Sequence, residues 1–118
     1  MVKTKLSVEE IAQVCHEANR VVTSHIKDVP VQASWAECPE DMRKSCVRGV
    51  EFAIANPDAT PSAQHEAWMA DRIANGWTLG PERSEALKTH PMLIPYDQMP
   101  EEVKKKDALF KNIVNALR

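Results

Sequence analysis

The sequence predicts an all-α fold, one compact domain of two repeated helix pairs around a pseudo-twofold, with a long ordered loop in the second half. Three observations predict it. Apolar residues recur at helical spacing in four stretches. Each stretch opens on a helix-start signature. One segment repeats another: Trp35-Ala-Glu-Cys-Pro-Glu-Asp-Met-Arg-Lys44 aligns with Tyr96-Asp-Gln-Met-Pro-Glu-Glu-Val-Lys-Lys105 at a constant offset (96 − 35 = 61, 105 − 44 = 61).

The first helix starts at Ser7-Val8-Glu9-Glu10, a capping box in which the Ser7 hydroxyl and the Glu10 carboxylate each satisfy a backbone N–H. Ile11, Val14, Cys15, Ala18, Val21 and Val22 follow on one face, and the helix is expected to end near Ile26, before Asp28-Val29-Pro30. The second starts at Pro39, read as the first helical position, because proline there gives up an N–H that has no helical partner. Met42, Cys46, Val47, Val50, Ala53 and Ile54 form its stripe, and Asn56-Pro57 stops it. The third runs from Thr60-Pro61, cap then first position, to Gly76, where a left-handed C-terminal residue belongs. Trp68 falls on its apolar face and reads as core. The fourth starts at Pro100 and carries Val103, Phe110, Ile113, Val114 and Leu117 to the C-terminus. No alternating run is long enough for a sheet; a short hairpin flanking Trp77 is compatible with the pattern.

A chain of 118 residues suits a single domain, 1–118, with halves at about 7–57 and 60–118. The net charge of −2 leaves no basic footprint for a nucleic-acid polymer. No apolar run approaches the ~20 residues of a membrane span. The lysines near Met1 have no apolar segment behind them, so no signal peptide is read and a cytoplasmic location is expected. Cys15, Cys38 and Cys46, an odd count on apolar helical positions, are expected to be reduced packing residues.

Upstream of the long repeat, His16-Glu17-Ala18 matches His65-Glu66-Ala67 at an offset of 65 − 16 = 49. The difference, 61 − 49 = 12, is additional sequence in the second half, within Gly76 to Tyr96. A long loop in a compact domain is usually functional or disordered; its aromatic anchors and prolines argue for order. Trp35, repeat partner of Tyr96, is expected to pack on the following helix. His16 and His65 are expected to bond loop backbone in their own halves.

His65-x-x-Trp68, Gly76-Trp77-x-x-Gly80-Pro81, Lys88-x-His90-Pro91-x-Leu93-x-Pro95-Tyr96, then Lys104 or Lys105 and Asp107 together resemble the ryanodine-receptor repeat, the RyR domain. The resemblance covers about Thr60 to Arg118, and the first half more loosely through the repeat. Leu79 departs from it, since many members carry an aromatic before the glycine. The resemblance implies a helical, internally duplicated module that is peripheral to the pore in calcium-release channels. It also implies kinship with small stand-alone members of bacteria and phages, which are suspected of binding nucleotide-derived ligands.

The loop supplies candidate ligand-binding residues. Trp77 and Tyr96 could stack a flat base, at about 1–3 kcal/mol per base. Arg83, Lys88 and His90 could meet phosphate oxygens, at roughly 1.5–3 kcal/mol per charge-assisted bond. Such contacts together reach the ~8 kcal/mol of micromolar binding before ordering costs. The alternative is that both rings pin the loop and the basic groups are solvated. No metal or cofactor is expected: Met69 stands four residues after His65, and Arg20 four after His16, where a helical zinc site needs histidine. Gly76 and Gly80 lack the Lys-Ser/Thr of a P-loop. No catalytic constellation is present, so an enzyme is a minor rival. The expected function is a non-catalytic module that senses or sequesters a nucleotide-derived small molecule. The main rival is a protein-interaction module, with a homodimer face built from the repeated halves.

Overall fold

A computed structural model of the chain describes residues 6–27 and 31–118. Among these residues the chain forms helices α1 (Val8–Ser24), α2 (Glu40–Ala55), α3 (Pro61–Ala74) and α4 (Glu101–Leu117). Between α3 and α4 lie the two-residue strands β1 (Thr78–Leu79) and β2 (Thr89–His90) and a 3₁₀ turn at Tyr96–Gln98.

Helices α1 and α3 start on the side-chain caps the sequence implies. The Glu10 N–H donates to Ser7 Oγ at 3.1 Å while the Ser7 N–H donates to Glu10 Oε1 at 2.8 Å. The Ala63 N–H donates to Thr60 Oγ1 at 3.1 Å, with Pro61 opening α3. Pro39 and Pro100 stand one place earlier than the spacing predicts, as extended N-cap residues rather than first helical ones. Their carbonyls accept the first helical bonds, which a missing N–H does not affect. Helix α1 ends at Ser24, two residues before the expected Ile26. The stop signal Asp28-Val29-Pro30 and the segment Met1–Lys5 lie outside the described residues.

Helix α1 packs on α2 and α4, α3 also packs on α2 and α4, and α2 touches α4. Ile11, Ala12, Cys15, Val50, Ala53 and Val114 form the buried core, with Trp35, Phe110 and Leu117 packed against it. The three cysteines are free; Cys15 and Cys38 are buried and Cys46 partly so.

The duplication read from the sequence recurs in matched contacts. His16 Nε2 bonds the Ala33 carbonyl at 2.7 Å, and His65 Nε2 the Ile94 carbonyl at 2.8 Å. The donors differ by 49 positions and the acceptors by 61 (94 − 33), the two offsets of the sequence repeat. His16 meets Trp35 at 5.7 Å between ring centroids, and His65 meets Tyr96 at 6.1 Å. The Arg43–Glu40 pair, 2.8 Å, has its counterpart in Lys104–Glu101, 3.2 Å.

The second-half loop is clasped at its base. The Gly76 N–H bonds the Ile73 carbonyl and the Trp77 N–H the Arg72 carbonyl, both at 3.0 Å. This is a Schellman ending to α3, with Gly76 at φ +88° in the left-handed position. Lys88, also left-handed at φ 54°, donates from Nζ to the Asn75 carbonyl at 3.0 Å, placing a cation on the helix C-terminus. The strands beside Trp77 pair in parallel, Thr78 with Thr89 and Leu79 with His90, so they are not the expected hairpin. Nine residues, 80–88, separate them, and an antiparallel Ser84–Thr89 bridge turns the chain back before it re-enters alongside β1. A Cβ at Gly80 would lie 2.7 Å from Thr89 Cβ. The Thr89 Cβ is fixed by its backbone, so relief needs a shift of the paired strands rather than a side-chain rotation. Gly80→Ala is therefore expected to cost about 1–3 kcal/mol in urea unfolding, the usual range for overpacking.

Candidate anion-binding cleft

A cleft of about 310 Å³ opens among the helices and is lined by residues from all four. Its apolar wall includes Met42, Phe52, Met92, Met99 and Phe110. Trp68 of α3 lines it too. Helical periodicity predicts Trp68 as core, but the ring is only partly buried and forms a wall. His65 stacks on that ring at 5.4 Å and His90 meets its edge at 5.0 Å, so the indole plane is held from two sides.

Arg72 lies one turn further along α3 and also lines the cleft. It is 6% exposed, and its guanidinium forms no hydrogen bond among the described residues; Nε is fully enclosed without a partner. Its carbon sits over the Trp77 ring at 4.7 Å and the Trp68 ring at 6.0 Å. Burial lowers its pKa, partly offset by Glu85 and Asp71. Both of those carboxylates bond elsewhere. Asp71 is held in a two-pronged pair by Arg48 at 2.5 and 3.1 Å, and Glu85 by Arg83 at 2.7 Å. A buried cation without a hydrogen-bonded counterion is costly.

Helix α4 adds Lys106 and Asp107 to the same cleft. The Asp107 carboxylate stands 3.8 Å from His65 Nδ1. Since His65 Nε2 donates to the Ile94 carbonyl, Nδ1 is the nitrogen that faces Asp107. Burial raises the Asp107 carboxyl, against the pull of His65 and Lys106. Burial likewise lowers the Lys106 ammonium. Burial raises Cys15 and Cys46, which also line the cleft, to about 12, so both stay protonated thiols.

The loop residues predicted from sequence stand around this cleft rather than in its lining. Trp77 is 2% exposed, a packing ring beneath Arg72. Tyr96 packs toward His65 with the Lys104 ammonium 5.3 Å over its ring. Lys88 is exposed and caps α3. Arg83 is bound to Glu85 and approaches Met42 Sδ at 3.7 Å. His90 backs Trp68, and its Nδ1 accepts the Met92 N–H at 3.0 Å. Trp77 and Tyr96 thus serve different parts of the packing and do not face each other across the cleft. Sequence reasoning does not reach Arg72, Lys106, Asp107 or Trp68 as site residues. The signal that could find them is the repeat. Arg72 corresponds to Thr23 (72 − 49), Lys106 to Ser45 and Asp107 to Cys46 (offset 61), so the second half carries charge where the first carries small neutral groups.

Fold and cleft define a class: a small four-helix domain with duplicated contacts and an asymmetric, charged opening. Within that class the chain belongs to the RyR domain family, whose family model matches residues 56–117, more than half of the 118. The matched segment contains α3, the loop and α4, and with them Trp68, Arg72, Lys106 and Asp107. No helix among the described residues is long and apolar enough to cross a membrane.

Proposed function

We propose that this RyR domain is a non-catalytic binding module that takes a small, anionic, nucleotide-derived molecule into the cleft. The observation that carries this reading is Arg72, a buried guanidinium lining the opening with no hydrogen-bonded counterion among the described residues. An anionic group there would relieve a cost the ligand-free fold bears. Trp68 and the methionines give the cleft an aromatic and deformable apolar lining for a base. In this reading Arg83 and His90 support the site from behind, while Trp77, Lys88 and Tyr96 fix the loop.

Thermal unfolding against nucleotides and their derivatives, in wild type and Arg72→Gln, tests this. A ligand at ~100 times its Kd is expected to stabilise by about 2.7 kcal/mol, a rise of several degrees. Arg72→Gln is expected to weaken binding at least tenfold, since a charge-assisted bond contributes about 1.5–3 kcal/mol. A panel without any saturable rise in Tm would sink the proposal. A second reading, a protein-interaction module, is favoured by Leu79 and Leu87, exposed by 59% and 76% on the same loop. It requires a concentration-dependent mass in light scattering that Leu87→Asp abolishes.

A further inference from the structure

Arg72 is not alone among the cations facing the cleft. Lys106 lines it from α4, the neighbouring wall. No hydrogen bond or ion pair engages its ammonium among the described residues. Lys104, two positions earlier, bonds Glu101 and covers Tyr96, and Lys105 is exposed; Lys106 alone of this run lines the opening. Asp107 attracts it, but that carboxylate is the one standing beside His65, and Arg83 repels it. Arg72, Arg83 and Lys106 each disfavour the protonated His90 ring, and Arg72 and Lys106 both line the cleft. Of the three, Arg83 is neutralised by Glu85. Arg72 and Lys106 remain, one from α3 and one from α4.

We propose that Arg72 and Lys106 together grip a single dianionic phosphoryl group, so the ligand class is a phosphate monoester; this rests on the binding reading above. A monoester near neutral pH carries about −1.5 to −2 charges and three strong acceptor oxygens. It can meet both cations at once. A carboxylate or a phosphodiester carries one charge and leaves one of the two uncompensated. The repeat agrees with a dedicated role, because the position equivalent to Lys106 is Ser45, which lines the same cleft without charge.

Isothermal titration with adenosine 5′-monophosphate, adenosine 3′,5′-cyclic monophosphate and adenosine, on wild type, Lys106→Met, Lys106→Arg and Arg72→Gln, tests this. Wild type is expected to bind the monoester at least tenfold more tightly than the cyclic diester. Lys106→Met is expected to erase that preference by weakening the monoester far more than the diester, and Lys106→Arg to restore it. Without ligand, Lys106→Met is expected to melt no lower than wild type, since an uncompensated cation has been replaced by an apolar chain. That melt also certifies that the variant folds. A monoester preference that survives in Lys106→Met, or its absence in wild type, overturns the proposal. Arg72→Gln losing binding while Lys106→Met keeps it overturns the two-cation grip alone. Binding unaffected by Arg72→Gln overturns the anion reading beneath it.

Discussion

Replacing Trp77 with alanine is expected to cost about 3–5 kcal/mol, the range for deleting a large buried aromatic. For a chain of this size that lowers Tm by roughly 10–20 °C. The ring is 2% exposed and is placed by the Schellman ending of α3, in which Gly76 turns the chain and Trp77 bonds back to Arg72. Its face carries the Arg72 guanidinium at 4.7 Å. Alanine would leave a void and strip that cation of its nearest ring. Trp77→Phe is the informative companion. The indole N–H is buried without a partner among the described residues, so phenylalanine removes an unsatisfied donor along with some volume and is expected to cost less than half as much. Urea unfolding of both variants checks this. A loss below about 1 kcal/mol for Trp77→Ala, well under the range for such a deletion, would mean that the loop is not anchored through this residue.

The helices were legible because their ends are written in local chemistry. Ser7 with Glu10, Thr60 with Pro61, and Gly76 each solve a hydrogen-bonding problem within a few residues, so the sequence window contains the whole cause. The repeat made it legible that His16 and His65 each bond loop backbone in their own half; the acceptors, Ala33 and Ile94, come from the structure. The cleft was not, because its causes are distant in sequence. Arg72, near the end of a helix, reads as an ordinary complement to the helix dipole; it is buried because the chain after Gly76 brings Trp77 beneath it. Lys106 reads as one of three solvated lysines, and only the packing of α4 against α2 and α3 turns it inward. Trp68 lies on the correct helical face, but periodicity does not distinguish a filled core from the wall of an opening. Lys88 was visible as a cation. Its task, capping α3 from a left-handed backbone, depends on the parallel pairing of β1 and β2.

Acid is expected to unfold the protein in part through His90. Burial, with Arg83, Arg72 and Lys106 nearby, lowers its pKa from 6.5 to about 3. The neutral ring is also required by geometry, because Nδ1 accepts the Met92 N–H at 3.0 Å. The unfolded chain takes up a proton near pH 6.5 that the folded chain refuses. His90 therefore contributes stability that is complete above about pH 6.5 and is lost as pH falls toward 3. Each tenfold difference in proton affinity between the folded and unfolded chains is about 1.4 kcal/mol, so the loss amounts to a few kcal/mol. Asp107 acts with the opposite sign. Its raised pKa adds stability at low pH that is lost as pH rises through the folded value, so the wild-type curve is the sum of opposing slopes. His90→Asn separates them: the amide oxygen can keep the bond to Met92, and the side chain does not titrate. Stability measured from about pH 7.5 to 4, the window in which the unfolded chain gains its proton, is expected to fall more steeply in wild type than in His90→Asn. Equal slopes would remove His90 from the account. The same residue reports on the cleft. A phosphoryl group between Arg72 and Lys106, a monoanion by the pH at which folded His90 titrates, would offset the part of the shift that these cations add to burial, so saturating adenosine 5′-monophosphate is expected to raise the His90 titration midpoint in an NMR pH series. A midpoint that does not move under saturation would mean that the ligand sits away from these cations.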